Sequence, residues 1–146
     1  MAKVATLRLD MLEPEQVMEL WPKLEPMVQS ACEGNDLGYN DICPGDVYAL
    51  AVAGMCAIFV GTVDDEPGCV IALQFTEANG HKGAEIITMA GEHLMRFKAA
   101  YWQFVLDWLK ANGCTHVSAY APHRLAKIYM SRFGFTNSCS YVRMAL

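Results

Sequence analysis

KIYMSRFGF, residues 127 to 135, reads as the closing turns of a helix, a glycine stop and the first residue of a strand. The helix runs from Leu125 to Phe133 and carries Arg124, Lys127 and Arg132 on its polar side. Before it, THVSAYAP at residues 115 to 122 makes a strand, and before that a strongly amphipathic helix ends at Asn112-Gly113. Leu94, Phe97, Tyr101, Phe104, Val105 and Trp108 form one stripe of that helix, which predicts a start near Glu92.

Working toward the N-terminus, Asp64-Asp65-Glu66-Pro67-Gly68 and EANGHKG at residues 77 to 83 separate three strands, Met55 to Val63, Gly68 to Phe75 and Ala84 to Met89. Such short connections predict an antiparallel meander. Residues 33 to 46, EGNDLGYNDICPGD, read as a loop in which Asp46 caps a short helix through Ala53, stopped by Gly54. Lys3 to Leu12 alternates as a first strand. Glu13-Pro14-Glu15 then opens a helix with Val17, Leu20, Trp21, Leu24, Met27 and Val28 at helical spacing, and Pro22 and Pro26 are expected to kink or split it. Phe135 onward supplies one or two closing strands. The predicted fold is α/β (α+β): a mixed, mostly antiparallel sheet of about 6–7 strands with helices on both faces. No repeat or linker-like tract interrupts residues 1–146, so one domain is expected.

Composition narrows the function classes. Eleven basic against sixteen acidic residues give a formal charge of -5, which provides no global field for a polyanion, so nucleic acid is not expected as a partner. The longest uncharged run, Val47 to Val63, is short of the ~20 apolar residues of a membrane helix and contains Gly54 and Gly61. Arg8 and Asp10 interrupt any signal-peptide core, so a cytoplasmic location is expected. The six cysteines form no CxxC pair, and four lie in segments that read as core, so free thiols are expected. Cys114 and His116 are two residues apart on a strand and so share a face, yet four zinc ligands cannot be assembled and no metal site is expected.

The element order, with Ala126, Gly134 and Phe135 in the spacing A-x-x-x-Y-x-x-x-G-F and Gly113 closing the long helix, resembles the GCN5-related N-acetyltransferase family. That resemblance implies a splayed mixed sheet holding acetyl coenzyme A between its two middle strands, and transfer of an acetyl group to an amine. It also directs attention to particular residues. The family's general acid is a Tyr five residues before the closing Phe, a place that Met130 fills here; Tyr129 stands one residue earlier, about 100° around the helix. Tyr129 is therefore either the acid or a core aromatic. Glu85, the carboxylate within the strand Ala84 to Met89, is the candidate general base, against an ordinary solvated edge charge.

For the diphosphate of the cofactor, the family uses a glycine-rich Q/R-x-x-G-x-G/A segment. The equivalent stretch here, GEHLMRFKAAY at residues 91 to 101, has no glycine in the matching places: an ungapped count back from Gly113 matches His93, Arg96 and Lys98 to the motif, and a count with one deletion matches Arg96, Ala99 and Tyr101, so the side chains of His93, Arg96 and Lys98 are the candidate contacts. A helix starting near residue 92 argues against a backbone cradle and one starting near 98 argues for it. His123, three before Ala126, takes the place of an Asn that faces the cofactor in the family, and equally reads as a surface loop histidine. A basic, glycine-free MRFK before the long helix and a non-Tyr residue at the acid position are also similar to the acetyltransferase-like small internal virion proteins of short-tailed phages. That second resemblance implies a noncatalytic module, in a virion if phage-encoded, with assembly or homo-oligomerisation as its partner chemistry. The acceptor amine stays open, although the loop at 33 to 46 and the segment at 76 to 83 are expected to border its site.

Overall fold

The computed structural model describes residues 4–33, 43–121, 123–139, 142, 144 and 146, with the side chains of Cys32, Glu33 and His123 outside that description. Two tight turns set the sheet register. Asp64 and Asp65 take φ of 49° and 67°, and Asn79 and Gly80 take 53° and 75°, so both central residues of each turn are left-handed, the geometry whose twist matches a hairpin. The first turn joins β2 (Ala57–Val63) to β3 (Glu66–Ala78) and the second joins β3 to β4 (His81–Ala90). Both turns are tighter than expected. Glu66 and Pro67 already belong to β3, and the ladder Thr76↔Gly83, Glu77↔Lys82, Ala78↔His81 runs through the segment expected to be loop.

β1 (Leu7–Leu12) pairs antiparallel with β2, and β5 (His116–Ala119) pairs parallel with β4, giving a mixed sheet in the order β1-β2-β3-β4-β5. Lys3, expected to open β1, lies outside the described residues. Thr6 N–H donates to the Asp64 carboxylate and Asp64 N–H to the Thr6 carbonyl, each at 2.9 Å, which ties the approach to β1 onto the first hairpin. The described residues hold five strands, fewer than the expected 6–7. The reason lies at Phe135. Its N–H bonds back to the Tyr129 carbonyl and its ring packs against Trp102 and Tyr129, so the chain folds onto the core there, and residues 136–139 form no strand.

Helices cover both faces, as read from the element order. On one face, Val17, Leu24 and Val28 of α1 (Pro14–Glu33) and Val47 and Ala51 of α2 (Pro44–Val52) pack over Ile58, Val60, Val70, Ala72 and Ala90. On the other, Trp102, Val105 and Leu109 of α3 (Leu94–Ala111) and Tyr129 of α4 (His123–Arg132), with Phe133 just beyond it, pack over Phe59, Ile71, Leu73, Ala84, Ile86 and Met89. β2 and β3 are thus buried on both sides, which explains their nearly continuous apolar runs.

Three local readings change. α1 is one helix through Pro22 and Pro26. The two prolines are four residues apart and exposed, so the helix carbonyls they leave free, those of Met18 and Pro22, lie on the solvent side where water can bond them. α2 begins at Pro44 rather than after Asp46. Cys43 is its N-cap, and the Asp46 carboxylate, inside the first turn, accepts from Cys43 N–H at 2.9 Å, which lowers the Asp46 pKa. α3 is rotated relative to its expected stripe. Trp102 and Leu109 are buried and Phe104 is 55% exposed, because Trp102 seats edge-on against Phe133.

Gly61 shows how tightly α3 sits on the sheet. A Cβ at residue 61 would lie 2.6 Å from Phe97 Cδ1 and 2.7 Å from Cys69 Sγ. Gly61→Ala is expected to destabilise the fold by about 1–3 kcal/mol, read as a lower urea midpoint at unchanged slope, and Phe97→Leu in the same chain should recover part of that loss.

Candidate functional site

β4 makes two different pairings along its length. Leu73 of β3 faces Ile86 while Ala72 faces Thr88, so Ile87 is an extra residue in β4, a bulge. Pairing with β5 covers Gly83↔His116 to Ile86↔Ala119 and goes no further. Beyond the bulge, Thr88, Met89 and Ala90 keep their β3 partners while their β5 side has no strand partner among the described residues. Pairing of the two parallel strands thus ends one residue before Ile87, and beyond it the β5-side edge of β4 has no strand partner among the described residues.

The bulge also sorts side chains. Ala84 and Ile86 belong to the α3/α4 core, so Glu85 between them points to the α1/α2 side, where its strand partners Gln74 and Ser118 point too. One row away, Gly83 aligns with Thr76 and His116. The described parts of α1 and α2 pack farther along this face, on Val60, Val70, Ala72 and Ala90. Gln74 and Glu85 are half-buried, and His116 and Ser118 are exposed, so a polar strip lies beside the point where that pairing ends. Thr88, on the same side just past the bulge, is buried and its hydroxyl has no partner among the described residues.

The start of α3 decides what the backbone offers at the end of β4. The helix begins at Leu94 with His93 as N-cap, close to the earlier of the two expected starts. Leu94 N–H bonds the Gly91 carbonyl at 3.3 Å, and Arg96 and Phe97 N–H bond the His93 carbonyl at 3.0 and 3.2 Å. These first-turn donors, which would otherwise face an anion, are already occupied. Gly91 has a packing role instead. At φ 130° a Cβ there would collide with the Gly68 carbonyl and with Cys69, so the glycine permits β4 to close against β3.

The predicted site residues fall in separate places. Tyr129 is buried at 6% exposure, 5.8 Å from the Phe133 ring and 5.4 Å from the Phe135 ring, and burial pushes its pKa up to about 12. It stands on the α3/α4 side of the sheet, whereas Glu85 points to the other. His93 packs on Gly68 and Val63 at the β2–β3 end. Arg96 is exposed on α3, and half-buried Lys98 lines a cavity of about 10 Å³ with Leu94, Tyr101 and Trp102. His123 opens α4, its side chain outside the described residues. Cys114 and His116 do not share a face, since Cys114 precedes β5 and packs against the α3/α4 core. Cys69 is buried, Cys56 and Cys114 are half-buried against the two cores, and Cys43 and Cys139 are exposed; all five are free. Cys32 lies outside the description, as do residues 34–42 of the expected loop.

No protein-family model matches the sequence, and no curated protein matches it. Solved structures do. An aminoglycoside acetyltransferase from an uncultured soil metagenomic sample superposes with a TM-score of 0.68 at 13% identity, over 97% of this chain and 99% of that one. A GCN5-related N-acetyltransferase from Ralstonia eutropha JMP134 gives 0.68 at 15%, over 96% and 99%, and a ribosomal-protein-alanine N-acetyltransferase from Brucella melitensis biovar Abortus 2308 gives 0.65 at 12%, over 97% and 98%. The chain has the GCN5-related N-acetyltransferase fold.

Sequence reasoning missed His116, Ser118 and Gln74 as one strip with Glu85. Alternation in THVSAY puts His116 and Ser118 on one face, but only the strand register aligns them with Glu85.

The buried phenol supplies a test. Its folded pKa of about 12 exceeds the ordinary value of 10.0, so the stabilisation is complete below the ordinary value and is lost as pH rises through the window between them. Across that window the native chain should lose about 2–3 kcal/mol more stability than Tyr129→Phe, read by urea titration. Equal losses would mean that the hydroxyl reaches water.

Proposed function

We propose that the chain is an N-acyltransferase that moves an acyl group from a thioester donor, acetyl coenzyme A in the simplest case, to an amine. One observation carries this reading: β4 and β5 part at the Ile87 bulge with the Glu85 carboxylate one strand pair from the opening. Fit to the donor differs along its length. The free β4 edge and the unpartnered Thr88 hydroxyl suit the amide-rich arm of a pantetheine thioester, whose amides need strand-like partners. At the diphosphate end the N–H groups of Leu94, Arg96 and Phe97 are occupied, which leaves little backbone to cradle it; Arg96 and Lys98 are the side chains available to it.

When bound, the thioester supplies an activated acyl carbon. The chain's part is to bring an amine to the opening and remove its proton. Glu85, half-buried beside Gln74 and Ser118, is the group placed to accept that proton directly or through one water. Tyr129 is packed away from this face, so the departing sulfur takes its proton from solvent in this reading.

A second reading, which the structural neighbours do not favour, rests on the occupied α3 turn and on Tyr129 in the core: a noncatalytic member of the fold, similar to small internal virion proteins of short-tailed phages, acting in assembly. One experiment separates them. At a hundredfold excess over its Kd, acetyl coenzyme A should stabilise an acyltransferase by ~2.7 kcal/mol in a thermal melt. Thiol release in the presence of an amine should fall about 10²–10⁴-fold in Glu85→Gln. No shift at millimolar donor together with no thiol release would select the noncatalytic reading.

A further inference from the structure

The polar strip contains a histidine whose hydrogen bonding and position both follow from its surroundings. Thr115 N–H and Oγ1 both reach the Lys82 carbonyl, at 2.8 and 3.3 Å. A carbonyl only accepts, so both contacts of Thr115 Oγ1 are hydrogen bonds at once in one arrangement: the hydroxyl donates to Lys82 and accepts, at 3.0 Å, from His116 Nδ1–H. In that arrangement Nε2 is left as an acceptor. The outer edge of that ring, with Nε2 leading, lies where a Cβ on residue 83 would need to be, so Gly83 is what lets the imidazole reach across β4. No described residue bonds Nε2.

Resting on the acyltransferase reading, we infer that His116 selects the acceptor, its bare Nε2 receiving the distal ammonium of a short diamine whose other nitrogen lies at Glu85. The spacing fits. Glu85 and Gly83 are two residues apart on one face of β4, so their backbone rows are ~7 Å apart, and a chain of about four carbons can bridge groups seated on adjacent rows. The chemistry fits as well. An ammonium has donors only, and the strip offers acceptors: Nε2, the Glu85 carboxylate, and the oxygens of Gln74, Thr76 and Ser118. His81, at the start of β4, is a further titratable group on this face, and Arg8 and Asp10 of β1 lie on the same side two strands beyond β3. Lys82 points to the opposite side, its ammonium 4.3 Å from the Phe75 ring centre, and so does not repel a cation here.

The test uses the whole chain with 15N-labelled histidine. At a pH where the imidazole is neutral, His116 should show the Nδ1–H tautomer, and Thr115→Val should release it from that tautomer. 1,4-Diaminobutane should then perturb the His116 ring and the Gly83 amide and bind at least about tenfold more tightly than n-butylamine, the worth of one charge-assisted hydrogen bond. His116→Phe should abolish that preference while leaving the circular dichroism unchanged, and Gly83→Ala should weaken it by displacing the ring. An Nε2–H tautomer of His116 at that pH, or equal affinity for diamine and monoamine, would overturn the inference. Diamine selectivity without thiol release from acetyl coenzyme A would instead reject the acyltransferase reading and keep the strip as a diamine site.

Discussion

The extra residue at Ile87 is the constraint on which the site depends. A bulged strand carries two residues against one, bends, and twists more strongly than its neighbours. In β4 the twist falls where parallel pairing to β5 stops, at Ile86↔Ala119. Below the bulge the strand is held from both sides, and its side chains alternate strictly between the α3/α4 core and the Glu85 strip. Above it, β4 is held by β3 alone, while Thr88 and Ala90 turn toward α1 and α2. One inserted residue therefore opens the sheet and decides which polar groups border the opening.

The same strand fixes the limits of that opening. Past Ala90 the chain reverses within Gly91, Glu92 and His93, and the close approach of Gly91 to Gly68 leaves no room for a wider loop there. Gly68 is itself the extra residue of a second bulge, opposite Gly61 and Thr62, so the backbones of β2, β3 and the α3 entry crowd together. Phe97 completes the arrangement by filling the space over Gly61. α3 is drawn back along β4 by this packing, and its first donors close on Gly91 and His93. A diphosphate cradle and this tight entry compete for the same few residues, and in this chain the packing has them.

Much of the fold was legible because its signals are local. Asn79-Gly80, the glycine after each long helix and the two-sided apolar runs of β2 and β3 each name an element without help from the rest of the chain. What was not legible is relational. The α3 stripe could be drawn through Phe104 as well as through Trp102, and only the Phe133 ring, distant in sequence, chose between them. The prolines of α1 signalled a break, but their four-residue spacing on the solvent face made them tolerable. Glu85 was identified as the carboxylate of its strand, yet its companions come from β3 and β5 and are set by register, which no single segment encodes. The closing strands were inferred from a helix, a glycine and a phenylalanine, a pattern that ends the helix correctly but does not reveal that Phe135 folds back onto Tyr129 instead of opening a strand.

The position of Tyr129 carries this point into chemistry. Turning α4 by one residue to bring the phenol to the place of Met130 would strip Tyr129 from Phe133 and Phe135 and drive Met130, 39% exposed, into an aromatic pocket. Exposing one buried aromatic costs roughly 1.5–3 kcal/mol before any loss of ring geometry, a large share of the margin by which a domain is stable. The helix is therefore locked in the register that its core requires. The Tyr129 phenol is thus held in the α3/α4 core, on the opposite side of the sheet from Glu85 and His116, which lie on the paired strands themselves.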